Sequence, residues 1–123
     1  MRYRTPWGRL YHASLYSLKG LRCAFRQEQA FEYEAVVFLV ICAAALSASL
    51  PPFQALALVG AWLAVMALEL VNGAVERAFD LIDPQFRPEI GAGKDMLSAA
   101  VFIIVCFNVL LWAAVAAEYC GLL

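Results

Sequence analysis

Between residues 69 and 80 the chain reads Glu69-Leu70-Val71-Asn72-Gly73-Ala74-Val75-Glu76-Arg77-Ala78-Phe79-Asp80. On a helix, at about 100° per residue, Glu76 falls about 20° to one side of Glu69 and Asp80 about 20° to the other. Three carboxylates therefore share one stripe, with Asn72 about 60° away. Glu69 sits two turns, about 10 Å, deeper into the apolar segment than Glu76. Acids are costly in such surroundings, so their chemical uses are few. Glu76 and Asp80 offer hard oxygen ligands of the kind Mg²⁺ takes. Glu69, deeper and drier, suits a general base. Two plainer uses stay open. A protonated Glu69 would bond a neighbouring helix, or the stripe would conduct ions or protons.

Other residues add to this set. Glu28, Glu32 and Glu34 lie just before an apolar run, and two of them beside Glu76 would complete a metal site; exposed, they would be a solvated face. Gly91-Ala92-Gly93-Lys94-Asp95 resembles a phosphate loop only in part. Position 88 is Pro and position 95 is Asp, so the Gly-x-x-x-x-Gly-Lys-Ser/Thr pattern fails. Lys94 can still meet a phosphate as a point charge. Arg77 is expected to point away from the acid stripe, and the lone His12 has no assigned role. Cysteines at 23, 42, 106 and 120 lack metal or redox spacing. Cys42 and Cys106, inside apolar runs, are expected as buried packing residues, and no disulfide scaffold is expected.

The elements that must position these groups follow from composition. Of 123 residues 64% are hydrophobic and 15% charged, too apolar for a soluble domain of this size. A net charge of −1 argues against a nucleic-acid partner. Three apolar runs, 31–50, 53–79 and 96–117, are expected as transmembrane helices. Pro51-Pro52 should turn the chain between the first two, and a long polar loop over 80–95 should join the last two, with Gly91 and Gly93 supplying backbone freedom. Residues 7–26 space Trp7, Leu10, Tyr11, Leu15, Leu18, Leu21 and Phe25 as one face of an amphipathic helix lying in the membrane interface. The expectation is one domain over 1–123, all-α, with three membrane helices and this amphipathic helix. No cleavable signal peptide is expected. All nine Lys and Arg, Arg2 and Arg4 included, lie in the amino-terminal segment and in or beside the 80–95 loop. Those parts are expected on the cytoplasmic side, with the Pro51 turn and the carboxyl terminus opposite.

These blocks resemble a known family. Leu18-Lys19-Gly20-Leu21-Arg22, then Glu28, Phe31 and Glu34, then Glu69-x-x-Asn72-x-Ala74-Val75-Glu76-x-x-x-Asp80, then Lys94-Asp95-Met96-x-Ser98-Ala99-Ala100-Val101 are similar to the bacterial integral-membrane diacylglycerol kinases, over roughly residues 9–112. The resemblance implies a homotrimeric bundle in the bacterial cytoplasmic membrane, with active sites shared between subunits. It implies Glu69 as base, Glu28 and Glu76 as metal ligands with Glu34 as a further one, and Lys94 on the ATP phosphates. Arg9, Tyr16, Asn72 and Asp95 would also line the site. Asp80 and Arg87 complete the expected ATP side. Arg9, Phe31, Glu69, Ser98 and Trp112 make the expected lipid side. Departures from the family pattern are Arg87 in place of a histidine, Glu32 in place of a basic residue and Ser47 in place of an aromatic one. They bear on nucleotide contacts and lipid preference and leave the core acids intact.

The expected activity is Mg²⁺-assisted, in-line transfer of the ATP γ-phosphoryl group to diacylglycerol, giving phosphatidic acid. The nearest alternative is an undecaprenol kinase, because related short membrane kinases share the Glu-x-x-Asn-x-Ala-x-Glu block. A non-enzymatic helical bundle with an acidic ion path leaves Lys94, Asp95 and the Glu28 cluster without a job, and a structural subunit of a larger complex is the third alternative.

Overall fold

The computed structural model describes residues 5–123; Arg2 and Arg4 of the basic amino-terminal segment lie outside them. Among the described residues there are four helices and no strand: α1 Pro6–Gln27, α2 Gln29–Ser47, α3 Pro52–Ile82 and α4 Pro88–Tyr119. Thr5 starts α1, its Oγ1 accepting from the Gly8 N–H at 3.1 Å with Pro6 next in line. α1 and α2 meet at a one-residue elbow. Glu28 has extended backbone there, ending one helix and beginning the next. Its N–H donates to the Ala24 carbonyl at 2.8 Å, and its own carbonyl accepts from Phe31 N–H at 3.1 Å. Phe31 is 1% exposed and meets Phe25 edge-on at 4.9 Å, which locks the elbow.

α2, α3 and α4 are each long and apolar enough to cross a membrane, and the chain is a membrane protein. The 19 residues of α2 extend about 29 Å at 1.5 Å each, close to the hydrocarbon thickness. The 31 of α3 and 32 of α4 reach about 47 Å, so both overrun the bilayer by several turns. α3 packs between α2 and α4. Ile41, Leu58 and Val115 form the buried cluster that joins the three spans, with Trp62, Leu111 and Trp112 against it. Polar ties add direction. The Trp62 indole N–H donates to the Glu34 carbonyl at 2.8 Å, and the buried Asn108 amide donates to the Ala61 and Ile104 carbonyls at 3.1 and 2.8 Å. Gln54 and Glu118 meet at 2.7 Å across the opposite end from the acid stripe. Most other large apolar side chains, Leu39, Leu46, Phe102 and Leu110 among them, lie on the outer surface. A bilayer is the solvent for that surface.

Three boundaries differ from expectation by three residues or more. α2 stops at Ser47 rather than 50, because Ser49 turns left-handed (φ 51°) and the Leu50 N–H closes back on the Ala45 carbonyl at 3.3 Å. α3 runs on to Ile82, past 79. α4 begins at Pro88, eight residues ahead of 96, so the loop shrinks to residues 83–87. Proline in the first turn and Glu89 beside it are ordinary helix-start signals. Gly91 and Gly93 are consequently helical, and their use is packing rather than backbone freedom. A Cβ on Gly93 would lie 2.7 Å from the Phe79 ring, and one on Gly91 would lie 3.2 Å from Phe86.

Candidate active site

The elbow puts the Glu28 carboxylate against the face of α3. It lies over Gly73, where an added Cβ would come within 3.1 Å of Glu28 Oε1. That close approach needs a residue without a side chain. Arg77, one turn further along α3, donates from Nη2 to the same Oε1 at 2.9 Å and from Nη1 to Cys23 Sγ at 3.3 Å. Arg77 was expected to point away from the acid stripe, and its bonds go instead to Glu28 and Cys23, neither of which belongs to that stripe. It stands about 40° from Gly73 on the helix wheel, and its long side chain reaches round to the elbow. Gly73, Arg77 and Cys23 are the site residues that sequence reasoning missed. The available signal was the i,i+4 pairing of a glycine with a lone cation inside an acidic segment.

Glu28, Glu69, Gly73, Arg77, Cys23 and Ser17 line one cleft of about 510 Å³ between α1, the elbow and α3. Asn72 sets its side chain against the Glu69 carboxylate, and Glu69 lies within electrostatic reach of Glu28, Glu76 and Glu34. Counting about 20 residues of bilayer from Pro52 puts the membrane boundary near residue 72. Glu69 then lies about one turn inside it and Glu76 about one turn outside. The cleft thus opens at the level where a lipid headgroup meets water.

The remaining expected residues fall into separate groups. Lys94 Nζ donates to Asp80 Oδ1 at 3.0 Å, tying the start of α4 to the end of α3. Arg87 pairs with Asp83, which also accepts from the Gln85 N–H at 2.9 Å and so shapes the short loop. Arg9 and Tyr16 are exposed on α1, and Asp95 and Ser98 are exposed on α4. Of the five residues expected on the lipid side, Glu69 lines the cleft, and Arg9, Ser98, Phe31 and Trp112 lie outside it. Phe31 is buried in the elbow. Trp112 packs on the cluster containing Leu58, eleven residues or about 16 Å along α3 from Glu69.

Among the described residues no group of three or more His, Cys, Asp or Glu side chains is gathered tightly enough to cage a metal by itself. Mg²⁺ rarely asks for such a cage, since it keeps waters and shares one or two carboxylates with substrate phosphates. The donors present suit that arrangement. Among the described residues, buried Glu34 Oε2 and Asn72 Oδ1 have no hydrogen-bond partner, and both are hard oxygens beside Glu69.

Known proteins match most of the chain. Residues 15–116 match the family model described as prokaryotic diacylglycerol kinase. The chain is 34% identical over 108 residues to the diacylglycerol kinase of Escherichia coli K12, covering 88% of each chain. It is 33% identical over 106 residues to that of Haemophilus influenzae, covering 86% of this chain and 90% of the relative. It is 35% identical over 106 residues to that of Helicobacter pylori, covering 85% and 81% respectively. With an acid-lined cleft at membrane-boundary height on a three-span helical frame, and these matches over most of its length, the chain belongs to the prokaryotic diacylglycerol kinase family.

Proposed function

We propose that the chain is an ATP-dependent lipid kinase that phosphorylates diacylglycerol at the cytoplasmic face of the bacterial inner membrane. The observation that carries this reading is the cleft that brings Glu28 and Glu69 together at the membrane boundary. The lipid hydroxyl enters from the bilayer side and ATP from the aqueous side. Glu69 takes the hydroxyl proton, the freed oxygen attacks the γ-phosphorus, and the bond to ADP breaks. Asn72, against the Glu69 carboxylate, orients it. Glu28 and Glu76 would hold Mg²⁺, with Glu34 as a further ligand, and the metal, when bound, neutralises charge on the transferring phosphoryl group. Lys94 serves the phosphates as a second positive centre once it leaves Asp80. Asp80, Arg87, Asp95, Arg9 and Tyr16 complete the nucleotide side. Ser98 and Arg9 complete the lipid side. Phosphoryl transfer asks a protein mainly for placement and electrostatics, so these few polar groups suffice.

The chain acts as one domain and as a homotrimer. What supports a shared site is that Lys94 pairs with Asp80 and does not line the Glu28–Glu69 cleft of its own chain. The broad apolar outer surfaces of the spans leave room for helix contacts between copies. α1 serves as the amphipathic interfacial helix, with Trp7 and the arginines at headgroup level. The amino-terminal helix and the 83–87 loop lie on the cytoplasmic side.

The test is incorporation of labelled γ-phosphate from ATP into lipid by the purified protein in mixed micelles, with diacylglycerol and undecaprenol side by side. Label in phosphatidic acid that disappears in Glu69→Gln supports the reading. Label in the undecaprenol product alone reassigns the substrate, and label in neither removes the kinase reading.

A further inference from the structure

Arg77 holds a cation against the carboxylate that the proposed function assigns to a metal. Its Nη2 lies 2.9 Å from Glu28 Oε1, the oxygen that also lies over the open surface of Gly73. Its Nη1 is anchored on Cys23 Sγ at 3.3 Å, so the guanidinium bridges α1 and the elbow. Both partners border the cleft and both are partly exposed, 44% for the Arg77 side chain and 28% for that of Glu28. The pair is therefore open to exchange with ions from water.

We propose that Arg77 is a built-in counter-cation that a divalent metal must displace from Glu28, and so a positioning residue that sets the metal concentration at which the site fills. The inference rests on the reading of Glu28 as a metal ligand. Guanidinium and Mg²⁺ compete for the same hard oxygen, and a positive charge left in place repels the incoming ion. With Arg77 in place Glu28 stays pre-aimed across Gly73, and the site is held in register before metal arrives. The strength of a half-exposed ion pair limits the effect to about two- to fivefold in metal affinity.

The experiment is Mn²⁺ binding by the purified full-length protein in detergent, without nucleotide, read from the free Mn²⁺ signal in electron paramagnetic resonance. Arg77→Gln, Arg77→Lys and Glu28→Gln are compared with the parent, each checked for helical content and for oligomeric size. The expected result is Mn²⁺ binding about two- to fivefold tighter in Arg77→Gln and near the parent in Arg77→Lys, where the charge is kept. Unchanged or weaker binding in Arg77→Gln, with Glu28→Gln weakened, overturns the competition and leaves the Glu28 ligand reading standing. Unchanged binding in Glu28→Gln removes Glu28 as a ligand and the inference with it.

Discussion

Replacing Gly73 by alanine would set a methyl carbon 3.1 Å from Glu28 Oε1, 3.3 Å from its Cδ and 3.7 Å from its Cγ. The first two distances are short by a few tenths of an ångström, and the Glu28 side chain is the softer partner. It must give by a few tenths of an ångström. Stability should hardly suffer, because alanine gains about 1 kcal/mol over glycine inside a helix and the displaced group is partly exposed. Activity should suffer. A misplacement of about 1 Å at a reacting centre costs on the order of 100-fold in rate. Scaled logarithmically, a shift of about 0.3 Å costs about fourfold. Two measurements separate the effects: initial rates of ATP-dependent diacylglycerol phosphorylation in mixed micelles, and the thermal midpoint of the same preparation. The expected outcome is a drop of about threefold to tenfold in rate with an unchanged or higher midpoint. Full activity, or a lowered midpoint at full rate per folded molecule, would refute the argument that Gly73 exists to seat Glu28.

Other substitutions follow from the same geometry. Glu69→Gln removes the proton acceptor, so turnover should fall by at least about 100-fold while helical content and ATP binding persist; ordinary turnover would exclude Glu69 as the base. Lys94→Met should raise the KM for ATP and leave the fold intact, since its partner Asp80 is exposed; an unaltered KM contradicts the phosphate contact. Glu76→Gln should raise the Mg²⁺ concentration needed for half-maximal rate, and an unshifted Mg²⁺ titration counts against a ligand role. Ser49→Gly relieves a left-handed backbone at φ 51° and should raise stability by about 0.5–1 kcal/mol, read as a higher thermal midpoint; no gain would mean that Ser49 is unstrained.

Membrane residence, the three spans and the alignment of Glu69, Glu76 and Asp80 were legible in the order of the residues. Hydropathy and helical periodicity are local properties, and each can be read within a window of about 20 residues. The start of α4 was expected at 96 and lies at Pro88; Pro88 and Glu89 carry the usual helix-start signals, but the glycines at 91 and 93 suggested a loop. Only packing shows that these glycines receive the rings of Phe86 and Phe79. The elbow at Glu28 has no proline or glycine to announce it; it exists because Phe31 finds a buried seat against Phe25. The Arg77–Glu28 and Lys94–Asp80 pairs join residues 49 and 14 positions apart. Such pairings depend on how the helices dock, which hydropathy and periodicity do not encode.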